Sequence, residues 1–229
     1  MIIKGLQKLT LLDYPGRLAA TVFLGGCNFR CPFCHNASLV LGRGGENITE
    51  EELYAFLESR RGKLSGVCVT GGEPTLYSGL PTFINNIKSL GYSVKLDTNG
   101  TNPALLRSLV ERGLIDYVAM DIKNSPELYP LTAGVEGLDI APIRESVAYL
   151  LSGAIDFEFR TTVVAGHHTS ESMTEIGKWI AGAPRYFLQN FIDSGDLICP
   201  SSQGVDTKTL AEFLEAVRVY VPNAQIRGK

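Results

Sequence analysis

Three cysteines fall within ten residues of CNFRCPFCHN (27–36): Cys27, Cys31 and Cys34, spaced Cys-x₃-Cys-x₂-Cys. Thiolates are ligands for zinc and for iron–sulfur clusters, and both normally take four. A set of three leaves one position of a tetrahedral ion, or one iron of a cubane, without a protein ligand. The chain has two further cysteines. Cys68, in GVCVTGG, stands in an apolar strand pattern and reads as a buried small hydrophobe. Cys199, in DLICPSS, reads as a loop thiol, with a distant fourth ligand as the weaker alternative. A c-type haem is suggested by Cys31-Pro-Phe-Cys34-His35, a literal C-x-x-C-H, but it would leave Cys27 idle, and the N-terminus MIIKGLQKLT lacks an export pattern. Zinc held by Cys27, Cys31, Cys34 and His35 would need adjacent residues to face one ion, and no second cysteine pair is present. An iron–sulfur cluster with one open iron accounts for both the number and the vacancy.

Charged residues recur farther along at comparable places. Glu73 follows Gly71-Gly72 and precedes Pro74; Asp97, Asp121 with Lys123, and Arg160 lie at or near the ends of the next strand patterns. One strand ending in a charge is commonplace. A succession on the side that also carries the cysteine loop matches the rim where α/β barrels build active sites. Asp121 and Lys123, two residues apart on a strand, share one face.

The elements that must position these groups alternate. LQKLTLL and LAATVFLGG flank DYPGR as a hairpin, since Pro-Gly suits a turn. Six strands follow from hydrophobic patterning, over 18–26, 66–72, 92–99, 116–123, 156–164 and 185–191. Helical segments separate them: TEEELYAFLESRR, SGLPTFINNIKSLG, NPALLRSLVERG, IAPIRESVAYLLSG and SESMTEIGKWIAG, with DTKTLAEFLEAVRVYV closing the chain. Such alternation implies a parallel sheet covered by helices. No linker or repeat interrupts it, so residues 1–229 are expected to form a single domain. An open barrel and a flat doubly wound sheet fit this pattern equally.

Composition bounds the function. Hydrophobic residues make up 45% and charged residues 20% of the 229 residues, as in ordinary globular proteins. A net charge of −3 argues against a nucleic-acid polyanion as the main partner. No apolar run is long enough for a membrane span, and a cytoplasmic location is expected.

The motifs together resemble the radical S-adenosylmethionine (SAM) superfamily. The carriers are the cysteine triplet with Phe33 before its last member, Gly71-Gly72-Glu73-Pro74, LDTNG (96–100) and AMDIK (119–123). DYPG followed by the cysteine loop and CHN is similar to the glycyl-radical-enzyme activases, above all those of anaerobic ribonucleotide reductase, with pyruvate formate-lyase activators close by. The pattern covers roughly residues 5–195. The resemblance implies a partial (β/α)₆ TIM-like barrel preceded by the hairpin. It implies a [4Fe–4S] cluster on Cys27, Cys31 and Cys34, with SAM chelating the fourth iron. Reductive cleavage would then give a 5′-deoxyadenosyl radical that takes hydrogen from a glycine of a partner enzyme, the electron coming from a donor such as flavodoxin or ferredoxin. Modification of a small molecule or peptide is the alternative.

Residue roles follow from the same resemblance. Gly71 and Gly72 would permit close approach of the cofactor, and Glu73 would accept from its ammonium. Asp97 and Asp121 would line a monovalent-cation site, Lys123 would meet the cofactor carboxylate, and Asn99 and Arg160 would neighbour it. Asp13 has two equal readings, a contact to the glycine-bearing segment and a turn former. His35 and Asn36 would order the cluster loop, Asn190 has no assigned role, and His167 and His168 would be surface loop residues.

Overall fold

The computed structural model describes residues 1–42 and 47–228; residues 43–46 and 229 of the expected 1–229 span lie outside the described residues. The elements run β1 (Ile3–Thr10), β2 (Ala19–Leu24), α1 (Ala37–Leu41), α2 (Glu50–Ser59), β3 (Gly66–Gly71), a 3₁₀ turn (Pro74–Leu76), α3 (Leu80–Ser89), β4 (Ser93–Thr98), α4 (Pro103–Glu111) and β5 (Tyr117–Asp121). They continue with α5 (Tyr129–Ala133), α6 (Ala141–Leu151), β6 (Phe157–Val163), α7 (Ser170–Trp179), β7 (Tyr186–Asn190), α8 (Thr207–Arg218) and β8 (Gln225–Ile226). Among the described residues they build one eight-stranded sheet in sequence order. β1 is antiparallel to β2, and every later pairing is parallel. β1 and β8 are its two edges, so the barrel stays open.

The six expected parallel strands are β2 to β7. The hairpin forms too, but its first strand starts earlier and ends at Thr10, leaving Leu11 and Leu12 70% and 83% exposed. Local signals set the helix starts. Thr49 and Glu52 form a capping box on α2, Thr169 and Ser172 another on α7, and Asn102 and Asp206 cap α4 and α8.

Strand alternation sorts the side chains into two environments. Val67, Val69, Val94, Leu96, Val118, Met120 and Phe159 are fully buried in the core that joins the sheet to the helices. The alternate positions, including Thr21, Cys68, Lys95, Asp97, Asp121, Glu158 and Arg160, turn to the concave face. That face is polar, and burying charge there requires pairing. A separate apolar cluster of Tyr14, Ala19 and Tyr117 closes its lower end, with the two tyrosine rings 6.1 Å apart. Among the described residues no helix is long and apolar enough to cross a membrane.

Candidate active site

The cysteine loop leaves the C-terminal end of β2 and is tied down from three directions. At its root Gly72 N donates to Leu24 O and Glu73 N to Gly26 O, each at 2.8 Å. A Cβ on Gly72 would lie 1.8 Å from Gly26 O, and one on Gly71, where φ is +117°, would lie 2.3 Å from Leu24 N and O. These glycines therefore admit the loop's own backbone, a demand that precedes any ligand. From a second side, Arg30 N donates to Ala133 O at 2.8 Å beside Gly134, while Phe29 meets the Tyr129 ring edge-on at 6.3 Å. Arg30 Nη1 also donates to Cys27 O at 2.6 Å and Phe29 O at 2.7 Å. From the third, the segment after β7 crosses the loop: Cys199 N donates to Pro32 O at 2.8 Å, and Ser38 Oγ donates to Asp196 Oδ2 at 2.6 Å.

The loop so held brings Cys27, Cys31 and Cys34 to the wall of one cavity of about 760 Å³, counting its open mouth. All five cysteines are free. Cys199 does not line this cavity, and Cys68 is sealed inside the concave face beside Asp97. Among the described residues no three His, Cys, Asp or Glu side chains converge as ligands of a single metal ion. Phe29 N–H donates to Cys27 Sγ at 3.3 Å. Burial pushes the Cys31 thiol up to about 11 against the pull of Lys123, and raises Cys27 as well. Metal binding would accordingly release protons.

Phe33, Asn99, Asp97, Asp121, Lys123, Arg160, Gly71 and Gly72 line the same cavity. Asp97 accepts from Lys95 Nζ through Oδ1 and from Arg160 Nη1 through Oδ2 at 3.0 Å. Asp121 accepts from Arg160 Nε through Oδ1 and from Lys123 Nζ through Oδ2, both at 3.0 Å. All four carboxylate oxygens thus face cationic donors, and the arginine bridges the two acids. Burial works against ionising Asp121, yet Arg160 and Lys123 outweigh it and hold the carboxyl at about 2. Asp97 is lowered for the same reason, by Arg160 and Lys95 against its burial.

Glu73 departs from expectation. Its side chain is fully buried and does not line the cavity. Oε1 accepts from Thr75 N at 3.0 Å, Thr75 Oγ1 at 2.5 Å and Thr98 Oγ1 at 2.7 Å, and Oε2 accepts from Asn99 N at 2.6 Å. It caps the 3₁₀ turn opened by Pro74 and ties the end of β3 to the end of β4. Asn99, so fixed, points its amide at Asn28 Oδ1 (2.8 Å) and towards Cys27 Sγ (4.0 Å).

The remaining candidates separate. Asp13 does not line the cavity; its Oδ2 accepts from Thr21 Oγ1 at 2.5 Å, in the middle of β2. His35 and Asn36 do line it, with the His35 ring stacked 5.0 Å from Phe191. Asn190 clamps the segment after β7, donating to Val205 O at 2.8 Å and accepting from Val205 N at 3.0 Å. The two histidines are not surface residues. His168 is buried with Nε2 2.9 Å from Lys123 O, and half-buried His167 sets its ring 5.7 Å from Phe33. Thr70, Thr98 and Thr162 also line the cavity. Thr98 lies inside the LDTNG motif with no role assigned to it, and Thr70 and Thr162 carry no motif; their only sequence signal is a polar residue at the cavity end of a strand.

The profile of the Radical SAM superfamily matches residues 21–179. The chain belongs to the radical SAM superfamily. A Methanocaldococcus jannaschii protein, provisionally named a glycyl-radical enzyme activating enzyme, is 31% identical over 232 residues, covering 99% of this chain and 95% of its own. The pyruvate formate-lyase-activating enzyme of Clostridium pasteurianum is 32% identical over 132 residues, 53% of this chain and 52% of that one. Among solved structures, Streptococcus suis SuiB bound to its precursor peptide SuiA superposes with a TM-score of 0.72 over 91% of this chain at 15% identity; the chain spans 48% of SuiB, and the likeness is one of fold. Radical SAM membership implies a [4Fe–4S] cluster and SAM. The donor set fits: three free thiols surround a cavity, one thiol already accepts a backbone N–H as cluster-ligating sulfurs do, and a polar wall faces them.

Proposed function

We propose that this radical SAM enzyme is an activase that installs a glycyl radical on a larger anaerobic enzyme, with anaerobic ribonucleotide reductase as the partner. The observation that carries the proposal is the cavity in which the Cys27, Cys31 and Cys34 thiols face the Lys123–Asp121–Arg160–Asp97 array. The M. jannaschii relative, matched over nearly the whole of both chains, supports an activase over a modifier of peptides or small molecules.

In this reading Cys27, Cys31 and Cys34 hold the cluster, and Gly71, Gly72, Asn99, Lys123 and Arg160 hold SAM. When bound, the pair supplies one-electron reduction and a carbon-centred radical able to take hydrogen from a glycine Cα. The chain's own residues bind and orient. Lys123 and Arg160 offer positive charge to a carboxylate at the cavity wall. The Asn99 amide fixes the loop beside Cys27, and Phe33 with the His35–Phe191 stack shields the thiols from water. A monovalent cation between Asp97 and Asp121 would have to displace Arg160, so the arginine takes that role here. Asp13 is assigned to the turn that carries Tyr14. The electron comes from a flavodoxin or ferredoxin in the cytoplasm.

The test is anaerobic reconstitution with iron and sulfide, reduction, and incubation with SAM and the host's anaerobic ribonucleotide reductase. A glycyl radical signal by electron paramagnetic resonance is expected on the partner. SAM cleavage without a radical on any glycyl radical enzyme of the host would overturn the proposal in favour of another substrate.

A further inference from the structure

Beyond the cavity, the strands of the concave face carry a further carboxylate. Glu158, on β6 two residues before Arg160 and on the same face, has no solvent exposure. Its partner comes from just past β8: Arg227 donates through Nη1 to Oε1 at 2.6 Å and through Nη2 to Oε2 at 2.9 Å. The guanidinium also lies 3.5 Å from the centre of the Phe187 ring, and Arg227 N donates to Leu188 O at 2.9 Å. Tyr117 OH adds a neutral donor to Glu158 at 3.0 Å. Charges of alternating sign therefore follow one another from the edge strand β8 inward. Arg227 is ion-paired to Glu158. Arg160, two residues along β6 on the same face but not in ion-pair contact with Glu158, joins Asp97 and Asp121, the latter also paired with Lys123 at the cavity wall.

We infer that Arg227 is a positioning residue for the cofactor site, neutralising Glu158 so that Arg160 stays on Asp97 and Asp121. A fully buried carboxylate must find a counter-charge. Arg160 and Lys95 share the concave face with Glu158 and their fields act on it, and both are committed to the acids of the cavity; Arg185 meets Tyr117 OH at 3.4 Å rather than Glu158 itself. Without Arg227, Glu158 competes for Arg160, which has one guanidinium to divide. Asp121 then loses its bridge and Lys123 turns fully to Asp121, which removes positive charge from the cavity. The edge strand thus sets the charge of a site from which it is separated by Glu158 and Arg160.

The inference rests on the cavity being the SAM site, and the experiment separates the two. SAM is titrated into the anaerobically reconstituted full chain, with iron content and apoprotein melting temperature recorded for each variant. Arg227→Gln is expected to keep wild-type iron content and to weaken SAM binding about tenfold, the scale typical of supporting partners around a site. Glu158→Gln/Arg227→Gln is expected to bind more tightly than Arg227→Gln alone, because the charge that draws Arg160 away is gone. Arg227→Lys, which keeps the charge, should bind close to wild type even if the glutamine variant does not fold. Wild-type affinity in Arg227→Gln, or a double variant no tighter than that single one, would overturn the inference while leaving the site in place. Failure of Arg160→Ala to weaken SAM binding would overturn the placement of SAM itself, and the inference with it.

Discussion

Glu73→Gln separates the role that the motif assigns to this residue from the one its surroundings assign. Facing the cofactor, Glu73 would cost only SAM affinity when neutralised. In the fold its carboxylate instead accepts four bonds, two from the backbone N–H groups of Thr75 and Asn99, which cannot rotate away. A glutamine has one acceptor oxygen, so its NH₂ must meet one of those two N–H donors in either orientation. The loss is one hydrogen bond to a charged group, roughly 1.5–3 kcal/mol, plus a buried donor left unsatisfied, roughly 1–3 kcal/mol. Relief of the buried charge, which raises the Glu73 pKa by desolvation, offsets part of this, and a net destabilisation of about 2–4 kcal/mol remains. For a chain of this size that is a fall in melting temperature of about 5–15 °C. The assay is thermal unfolding of the apoprotein by circular dichroism, in the absence of iron and SAM. An unchanged melting temperature together with weakened SAM binding would overturn the structural role and return Glu73 to the cofactor.

Three other outcomes are expected. Replacing Cys27, Cys31 or Cys34 with Ala should abolish cluster assembly, whereas Cys68→Ala and Cys199→Ala should keep full iron content by chemical analysis; loss of iron in Cys199→Ala alone would indicate a closed four-ligand site. Asp121 is held at about 2 in the fold against about 3.9 when unfolded, so its contribution to stability is complete above that unfolded value and is lost as pH falls towards 2. Acid titration of the apoprotein should show this limb, and Asp121→Asn should flatten it. With every oxygen of Asp97 and Asp121 facing Arg160, Lys95 or Lys123, SAM affinity should be unchanged when potassium and sodium are replaced by choline; a requirement for either ion would show that Arg160 yields its place.

The elements that carry the site were legible because their patterns are strong. Parallel strands buried on one face by helices read as apolar runs, and β2 to β7 all fall where those runs lie. The cysteine spacing and the Gly71-Gly72 pair likewise pointed to residues that line the cavity. Direction was harder. Glu73 and Asn99 sit in motifs of the cavity rim, but which way Glu73 points is decided by the donors of Thr75 and Thr98, and a hydroxyl at a strand end carries no such label. The helix α5, five residues starting at Tyr129, is too short for periodicity to register, yet it braces the cysteine loop through Ala133. β8 has two residues and was invisible for the same reason. His167 and His168 follow a glycine in a polar stretch, the composition of a surface loop, but packing against Phe33 and Lys123 buries one and half-buries the other.

As a glycyl-radical activase, the enzyme would move hydrogen from a glycine Cα of a partner protein to the adenosyl carbon of SAM cleaved at this site. This transfer is tested most directly by preparing the partner enzyme with glycine deuterated at Cα and measuring deuterium in the 5′-deoxyadenosine formed with the reduced, cluster-loaded enzyme. Deuterium in that product, together with a glycyl radical on the partner, is the result predicted. Unlabelled 5′-deoxyadenosine formed at the full rate in the presence of the partner would contradict it.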